Sequence, residues 1–162
     1  MARGRRVELP AAEAATNFIA MDTSCLIALV CGWHEHHAVT TSAVEARLLE
    51  GATLALAGPA LVEAYAVLTR LPAPHRFSPS DALEVLRGSF HDQGDAVALT
   101  GRDYWSLLLD APAAAVHGGR TYDAVIAACA RKAGAKELLT LNLRHFESFA
   151  DDALSITSPL DG

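Results

Sequence analysis

Four oxygen-bearing residues sit where the surrounding sequence is apolar. Asp22 ends the run "NFIAM" and is followed at once by two hydroxyls, Thr23 and Ser24. Glu63 lies inside "PALVEAYAVLTRL", with Pro59, Ala60, Ala66 and Val67 three and four places away. On a helix those residues share its face, so the spacing predicts a partly buried carboxylate, and an unpaired buried charge is expensive. Asp123 in "RTYDAVIAACA" repeats the anomaly among Gly119, Arg120, Ile126 and Ala127, and Asn142 follows "ELLTL". Taken singly, each acid has an ordinary explanation. Asp22 or Ser24 would cap a helix, Asp123 would sit well at a helix start, and Glu63 would reach water from a rotated helix. One cause covers all three acids: a divalent cation held by oxygen ligands. Such an ion makes a bound water a better nucleophile and stabilises charge building on a phosphate.

These residues need elements to position them. Strand-like runs are "NFIAM", "ATLALA", "DAVAL", "ELLTL" and "ALSIT", and helical patterns lie between them. "SCLIALV" is short, and "HHAVTTSAVEARLLE" stops at Gly51. "PALVEAYAVLTRL" has Pro59 in its first turn and ends before Pro72. Ser78 with Asp81, and Thr100 with Asp103, are capping-box-like starts for "SPSDALEVLRGSF" and "TGRDYWSLLLDA". "TYDAVIAACARKAG" runs from the pair Gly118 and Gly119 to Gly134. Short strands alternating with helices predict an α/β fold, with a mainly parallel central sheet flanked by helices on both faces. Ligands of such sheets bind beyond the carboxyl ends of the strands, which is where Asp22 and Asn142 fall.

A chain of 162 residues, 51% hydrophobic and 20% charged, is one compact domain with a substantial core. No apolar run approaches the ~20 residues of a membrane span. "MARGRRVELPAAEAA" has no apolar stretch after its basic residues, so it does not read as a secretory signal. Residues 1–16 are expected to be a poorly ordered extension, or to follow from a start placed upstream of the true one. Cys25, Cys31 and Cys129 form no CxxC pair and read as buried free thiols of a reducing cytoplasm. The net charge of −6 argues against holding nucleic acid by bulk electrostatics, but bound cations would reverse the local sign. All but two of the thirteen basic residues are arginine, which favours forked phosphate or carboxylate contacts.

The order D-T-S after the first strand, a lone Glu in the third helix, Y-D-A-x-I-A-A and then T-x-N-x-R-x-F resembles the PIN domain. More narrowly, it resembles the VapC-type toxins of bacterial toxin–antitoxin pairs. The resemblance covers roughly residues 17–158, leaving 159–162 as a tail, and "YDAVIAACARKAGAKELLTLNLRHFESF" is its most specific part. It implies a PIN-like three-layer fold and an endoribonuclease dependent on Mg²⁺ or Mn²⁺. The products would carry a 5′-phosphate and a 3′-hydroxyl. Asp22, Glu63 and Asp123 match the family's best-kept acids. Asp22 and Asp123 are expected as ligands; Glu63 either completes the metal site or orients the water as a base. Asn142, a weaker ligand, stands where the family often has Asp. Thr23, Ser24 and Thr140 match hydroxyl positions that support the acids. The implied partners are RNA, a small antitoxin that inserts into the acidic groove, and a second copy of the chain, with no membrane.

Other segments have humbler readings. "HEHH", His34 to His37, is not HExxH and reads as a solvated helix entrance. Arg120 after "HGG" and Arg144 in "LNLRHFESF" are candidate contacts for substrate phosphate. Phe146 and Phe149 read as core, and "YWSLLL" as a packing helix whose aromatics, where exposed, would suit an oligomer interface. Two rivals stand beside the ribonuclease: a degenerate PIN module that binds a protein without cutting, and an unrelated α/β metal-dependent phosphohydrolase. For the latter, a dehalogenase-like centre wants an acid at Ser24, and a receiver wants a lysine after a late strand; neither is present.

Overall fold

The computed structural model describes residues 16–93 and 96–161; all but Thr16 of the expected N-terminal extension lies outside them. Five strands form one sheet: β1 (Phe18–Met21), β2 (Thr53–Ala57), β3 (Ala96–Val97), β4 (Ala135–Leu139) and β5 (Ser155–Thr157). Their order is β3-β2-β1-β4-β5 and every pairing is parallel. Among the described residues seven α-helices connect and cover them: α1 (Thr23–Val30), α2 (His37–Leu49), α3 (Gly58–Arg70), α4 (Pro79–Phe90), α5 (Gly101–Asp110), α6 (Arg120–Lys132) and the single turn α7 (Leu143–Phe146).

β1 is the middle strand, and helices cover both of its faces. Ile19, Ala20 and Met21 are therefore all buried in succession rather than in alternation. From β1 the chain builds outward to β2 and β3, then returns to the other side for β4 and β5. The winding reverses between β1 and β4, and the crevice at such a reversal is where an open α/β sheet binds its ligand. Residues that follow β1 and β4 meet there.

Local signals fix most boundaries. The Ser78 hydroxyl accepts from the Asp81 amide at 3.1 Å. Thr100 and Asp103 form a complete reciprocal box opening α5. Gly51, at φ +92°, takes the left-handed conformation just past α2. α3 starts directly after β2, because Gly58 lets the chain run against β3: a Cβ there would lie 3.3 Å from the Val97 carbonyl oxygen.

The core gathers Ile19, Leu26, Leu68, Leu138, Leu139, Phe146 and Leu154 around the sheet, with alanines where helices approach it closely. Three buried cysteines are free thiols. Glu137 on β4 is bound by both Nε and Nη2 of Arg47 on α2, each at 2.6 Å, and by the Thr157 hydroxyl. Burial pushes the Glu137 carboxyl up, but these donors outweigh it and hold it below its usual value. Pro159–Asp161 form a 3₁₀ turn with Pro159 buried. Among the described residues no helix is long and apolar enough to cross a membrane.

Two expectations change. "DAVAL" contributes only the two-residue edge strand β3, paired with β2 alone. "YWSLLL" is not a packing helix: α5 buries no residue, and Trp105 and Leu109 are 69% and 76% exposed. It leans on α6 instead, through half-buried Leu107 and the Asp103–Lys132 ion pair.

Candidate active site

Asp22 follows β1 and opens α1, so it answers two demands at once. Its Oδ1 accepts from the Cys25 amide at 3.1 Å, the helix-capping bond, and from the Ser24 hydroxyl at 2.7 Å. Its Oδ2 accepts from the Thr140 hydroxyl at 2.8 Å, across from β4. Ser24 Oγ in turn accepts from the Leu141 amide, and Thr140 Oγ1 from the Asn142 amide. The Asp22 amide donates to the Leu139 carbonyl. Asp22 is therefore the cap itself, and Ser24 and Thr140 lock it to the strand beside it. A carboxylate has about four acceptor sites; three are filled here, and the open one is on Oδ2. With 3% exposure, burial pushes the Asp22 carboxyl up, against the pull of Ser24, Cys25 and Thr140.

Of the two readings of Glu63, the structure shows the rotated helix rather than the partly buried carboxylate. α3 buries Ala60, Ala64 and Leu68, a stripe at every fourth residue, and leaves Glu63 and Ala66 exposed. The helix is rotated so that Glu63 stands at the edge of the packed stripe, where it projects toward α1. The Thr23 hydroxyl donates to its Oε2 at 2.6 Å, which fixes the carboxylate without burying it.

Asp123 lies in the first turn of α6, with its side chain 20% exposed. Burial raises its carboxyl, His145 opposes, the Glu63 charge raises it again and Arg120 opposes; the net is upward. Nδ1 of His145, on α7, lies 3.4 Å from Asp123 Oδ2. The sequence reading missed His145. Its signal was faint: a histidine three places after Asn142, in a short helix closing the loop beyond β4.

Other candidates take different places. The Asn142 side chain is exposed and makes no hydrogen bond among the described residues; only its backbone is held. Arg144 is exposed beside it. Arg120 is committed elsewhere: its guanidinium donates to Ser148 and lies over the Phe149 ring, 5.6 Å from the centroid. That contact ties α6 to the 3₁₀ turn Glu147–Phe149 and does not leave Arg120 projecting freely toward a substrate. Phe146 is buried as expected, and Phe149 packs edge-on against it. In "HEHH", His34 Nδ1 accepts from the His36 amide and His37 Nδ1 donates to the Ala28 carbonyl, so these rings serve the loop before α2.

Asp22, Glu63 and Asp123 thus come from three elements that converge at the sheet's reversal. Among the described residues no three His, Cys, Asp or Glu side chains lie close enough to ligate one ion directly. The donor set suits a hard cation that keeps much of its water. It is all oxygen, it has one open acceptor site on buried Asp22, and it holds two carboxyls that burial keeps above their usual values.

The family model of the PIN domain matches residues 19–151. Ribonuclease VapC40 of Mycobacterium tuberculosis is 38% identical over 131 residues, spanning 81% of this chain and 91% of that protein. Ribonuclease VapC27 of Mycobacterium tuberculosis (strain H37Rv) is 34% identical over 131 residues, spanning 81% and 89%. Among solved structures, VapBC2 from Rickettsia felis, bound to a DNA fragment from its promoter, contains a similar fold. The TM-score is 0.62 at 15% identity, covering 87% of this chain and 98% of that one.

Proposed function

The chain belongs to the PIN domain family, and from that premise we propose that it is a VapC-type endoribonuclease toxin using Mg²⁺ or Mn²⁺. The observation that carries this reading is the buried Asp22 carboxylate, oriented by Ser24, Cys25 and Thr140 with one acceptor site open. Relatives named ribonucleases, aligned over most of their length, support it.

Asp22, through Oδ2, and Asp123 would hold the ion. When bound, it supplies an activated water and neutralises charge developing on the phosphate. Thr23 holds one oxygen of Glu63 and leaves Oε1 to coordinate or to take a proton from water; both roles fit. His145 keeps Asp123 Oδ2 oriented. Arg144 is the exposed cation nearest to Asn142 in sequence and serves as the phosphate contact. The family resemblance supplies the partners: a small antitoxin that covers the acidic centre, and a second copy of the chain. The free thiols Cys25, Cys31 and Cys129 suit a reducing cytoplasm. Expressing the chain alone is expected to arrest bacterial growth, with new 5′-phosphate RNA ends within minutes and rescue by the neighbouring antitoxin. Normal growth with soluble protein present would defeat the toxin reading; nuclease activity without arrest would defeat only that part.

Metal should also be visible in stability. A carboxyl whose native pKa lies above its unfolded value takes up protons on folding. Asp22 and Asp123 therefore withdraw stability as pH climbs from ~4, the unfolded value, through their raised native values. In EDTA these two groups make the protein less stable at neutral than at mildly acid pH. Mn²⁺ binds the native state and reverses this contribution. The melting-temperature gain from Mn²⁺ should accordingly widen from pH 5 to 7.5 in wild type and nearly vanish in the Asp22→Asn/Asp123→Asn double variant. Equal gains in both proteins would put the cation elsewhere.

Asn142 offers a graded test. An amide brings no charge, so Asn142→Asp should tighten metal binding by roughly fivefold, about 1 kcal/mol after exposure and carboxylate repulsion are subtracted. The Mg²⁺ activation midpoint then falls, while Asn142→Ala moves it slightly the other way. Three identical midpoints would place residue 142 outside the centre.

A further inference from the structure

A groove of about 700 Å³ runs between α3 and α6, and Glu63 is one of its lining residues. Ala66, Val125 and Ile126 are among its apolar lining residues, as are Tyr104 of α5 and Tyr122 of α6. The tyrosines are 39% and 71% exposed. Arg70 also lines it, exposed and without an ion pair among the described residues. Glu63 and Arg70 are seven residues apart on one helix, so they share a face with about 10 Å of axis between them. The groove thus has on its wall a carboxylate of the proposed cleavage centre, a cation and two exposed aromatic rings.

From this arrangement the geometry points to a nucleotide subsite: one or two bases of single-stranded RNA stack on Tyr104 and Tyr122, with an adjoining phosphate on Arg70. This deepens the ribonuclease reading and rests on it. A net charge of −6 denies the protein the general phosphate attraction on which most nucleic-acid binders rely. RNA held at this centre needs an attraction that an acidic surface does not cancel. Stacking on aromatic rings supplies it, and tolerates any base because every base has a π-face. The groove suits a base better than a phosphate string, because among the described residues Glu63 and Arg70 are the only charged ones lining it and the others are apolar, aromatic or glycine. Continuity with Glu63 decides the occupant: a strand cleaved at the centre must leave along one of the channels that open from it.

Competition against cleavage of total bacterial RNA by the full chain with Mn²⁺ tests the subsite. The competitors are a random-sequence 12-nucleotide RNA and a 12-mer of ribose-phosphate lacking bases. Tyr104→Ala/Tyr122→Ala is expected to raise the inhibition constant of the RNA at least tenfold and leave that of the abasic chain unchanged. Tyr104→Phe/Tyr122→Phe should match wild type, since the ring and not the hydroxyl stacks. Arg70→Ala should weaken both competitors by the same factor and reduce the salt slope by about one. Equal RNA inhibition constants for wild type and the double alanine variant overturn the subsite while leaving the nuclease intact. A wild-type chain that cuts nothing overturns the ribonuclease reading and the subsite together. A change in sedimenting mass caused by the alanine pair shows instead that the groove is covered by a second copy, which also overturns it.

Discussion

Asp22→Asn is expected to fold and to cut RNA roughly a thousandfold more slowly, whereas Asp22→Ala is expected to lose the fold's stability as well. The difference lies in which hydrogen bonds survive. An asparagine retains Oδ1, so the bonds from the Ser24 hydroxyl and the Cys25 amide persist. Its Nδ2 replaces Oδ2 opposite Thr140, whose hydroxyl loses an acceptor. A bond to a charged group contributes ~1.5–3 kcal/mol. Removing the charge relieves the burial that raises the Asp22 carboxyl. The two effects oppose each other, and the net change stays within ~1–2 kcal/mol. Alanine leaves all three donors without a partner and removes the cap of α1, at about 3–5 kcal/mol in total. For a chain of this size that lowers the melting temperature on the order of 10 °C. Activity falls in both because an amide or a methyl is a poor ligand for a hard cation; a thousandfold is ~4 kcal/mol of transition-state stabilisation. Asp22→Asn cutting within a few-fold of wild type would reduce the residue to a helix cap.

How far these residues were legible depends on the range of the interaction that places them. The capping pairs Ser78–Asp81 and Thr100–Asp103, and the stops at Gly51 and Gly134, are set within a few residues, and the sequence shows them. Asp22 and Thr140 could be foreseen together, because strand-end residues of a parallel sheet meet by topology. The orientation of Glu63 could not. A helix of alanines, valines and leucines has apolar residues on more than one side, and only packing against the sheet selects the Ala60–Ala64–Leu68 stripe. The same ambiguity hid the exposure of α5, where Trp105 and Leu109 carry a helical pattern but stay exposed among the described residues. His145 escaped because its pairing with Asp123 joins α6 to α7 through space, across 22 residues of sequence, with no motif to announce it.

Asp123→Asn sets two accounts of one residue against each other, because they require opposite outcomes. If Asp123 merely complements the N-terminus of α6, its charge contributes ~0.3–1 kcal/mol of stability. The asparagine variant then melts slightly lower and cuts RNA normally. If Asp123 is a ligand, its carboxylate is held out of water, and to a lesser degree near Glu63, at a cost, as its raised value indicates. Removing the charge then leaves stability in EDTA unchanged or somewhat higher, since the burial cost of the carboxylate disappears and the asparagine oxygen keeps its place beside His145. Cleavage falls by roughly 10²–10³-fold, about 3–4 kcal/mol of the barrier. The melting temperature gained from Mn²⁺ shrinks with it. The burial of Asp123 favours the second pattern. A first-turn acid gains from the helix dipole without leaving water, whereas this side chain is only 20% exposed and has a single basic neighbour, His145, within ion-pair distance among the described residues. On the ligand account, a half-buried carboxylate near Glu63, offset only by His145 and Arg120, is further stabilised by a cation. Melting curves in EDTA and in Mn²⁺, run alongside cleavage assays on wild type and Asp123→Asn, separate the two: lower stability with full activity is the cap, and undiminished stability with lost activity and lost metal response is the ligand.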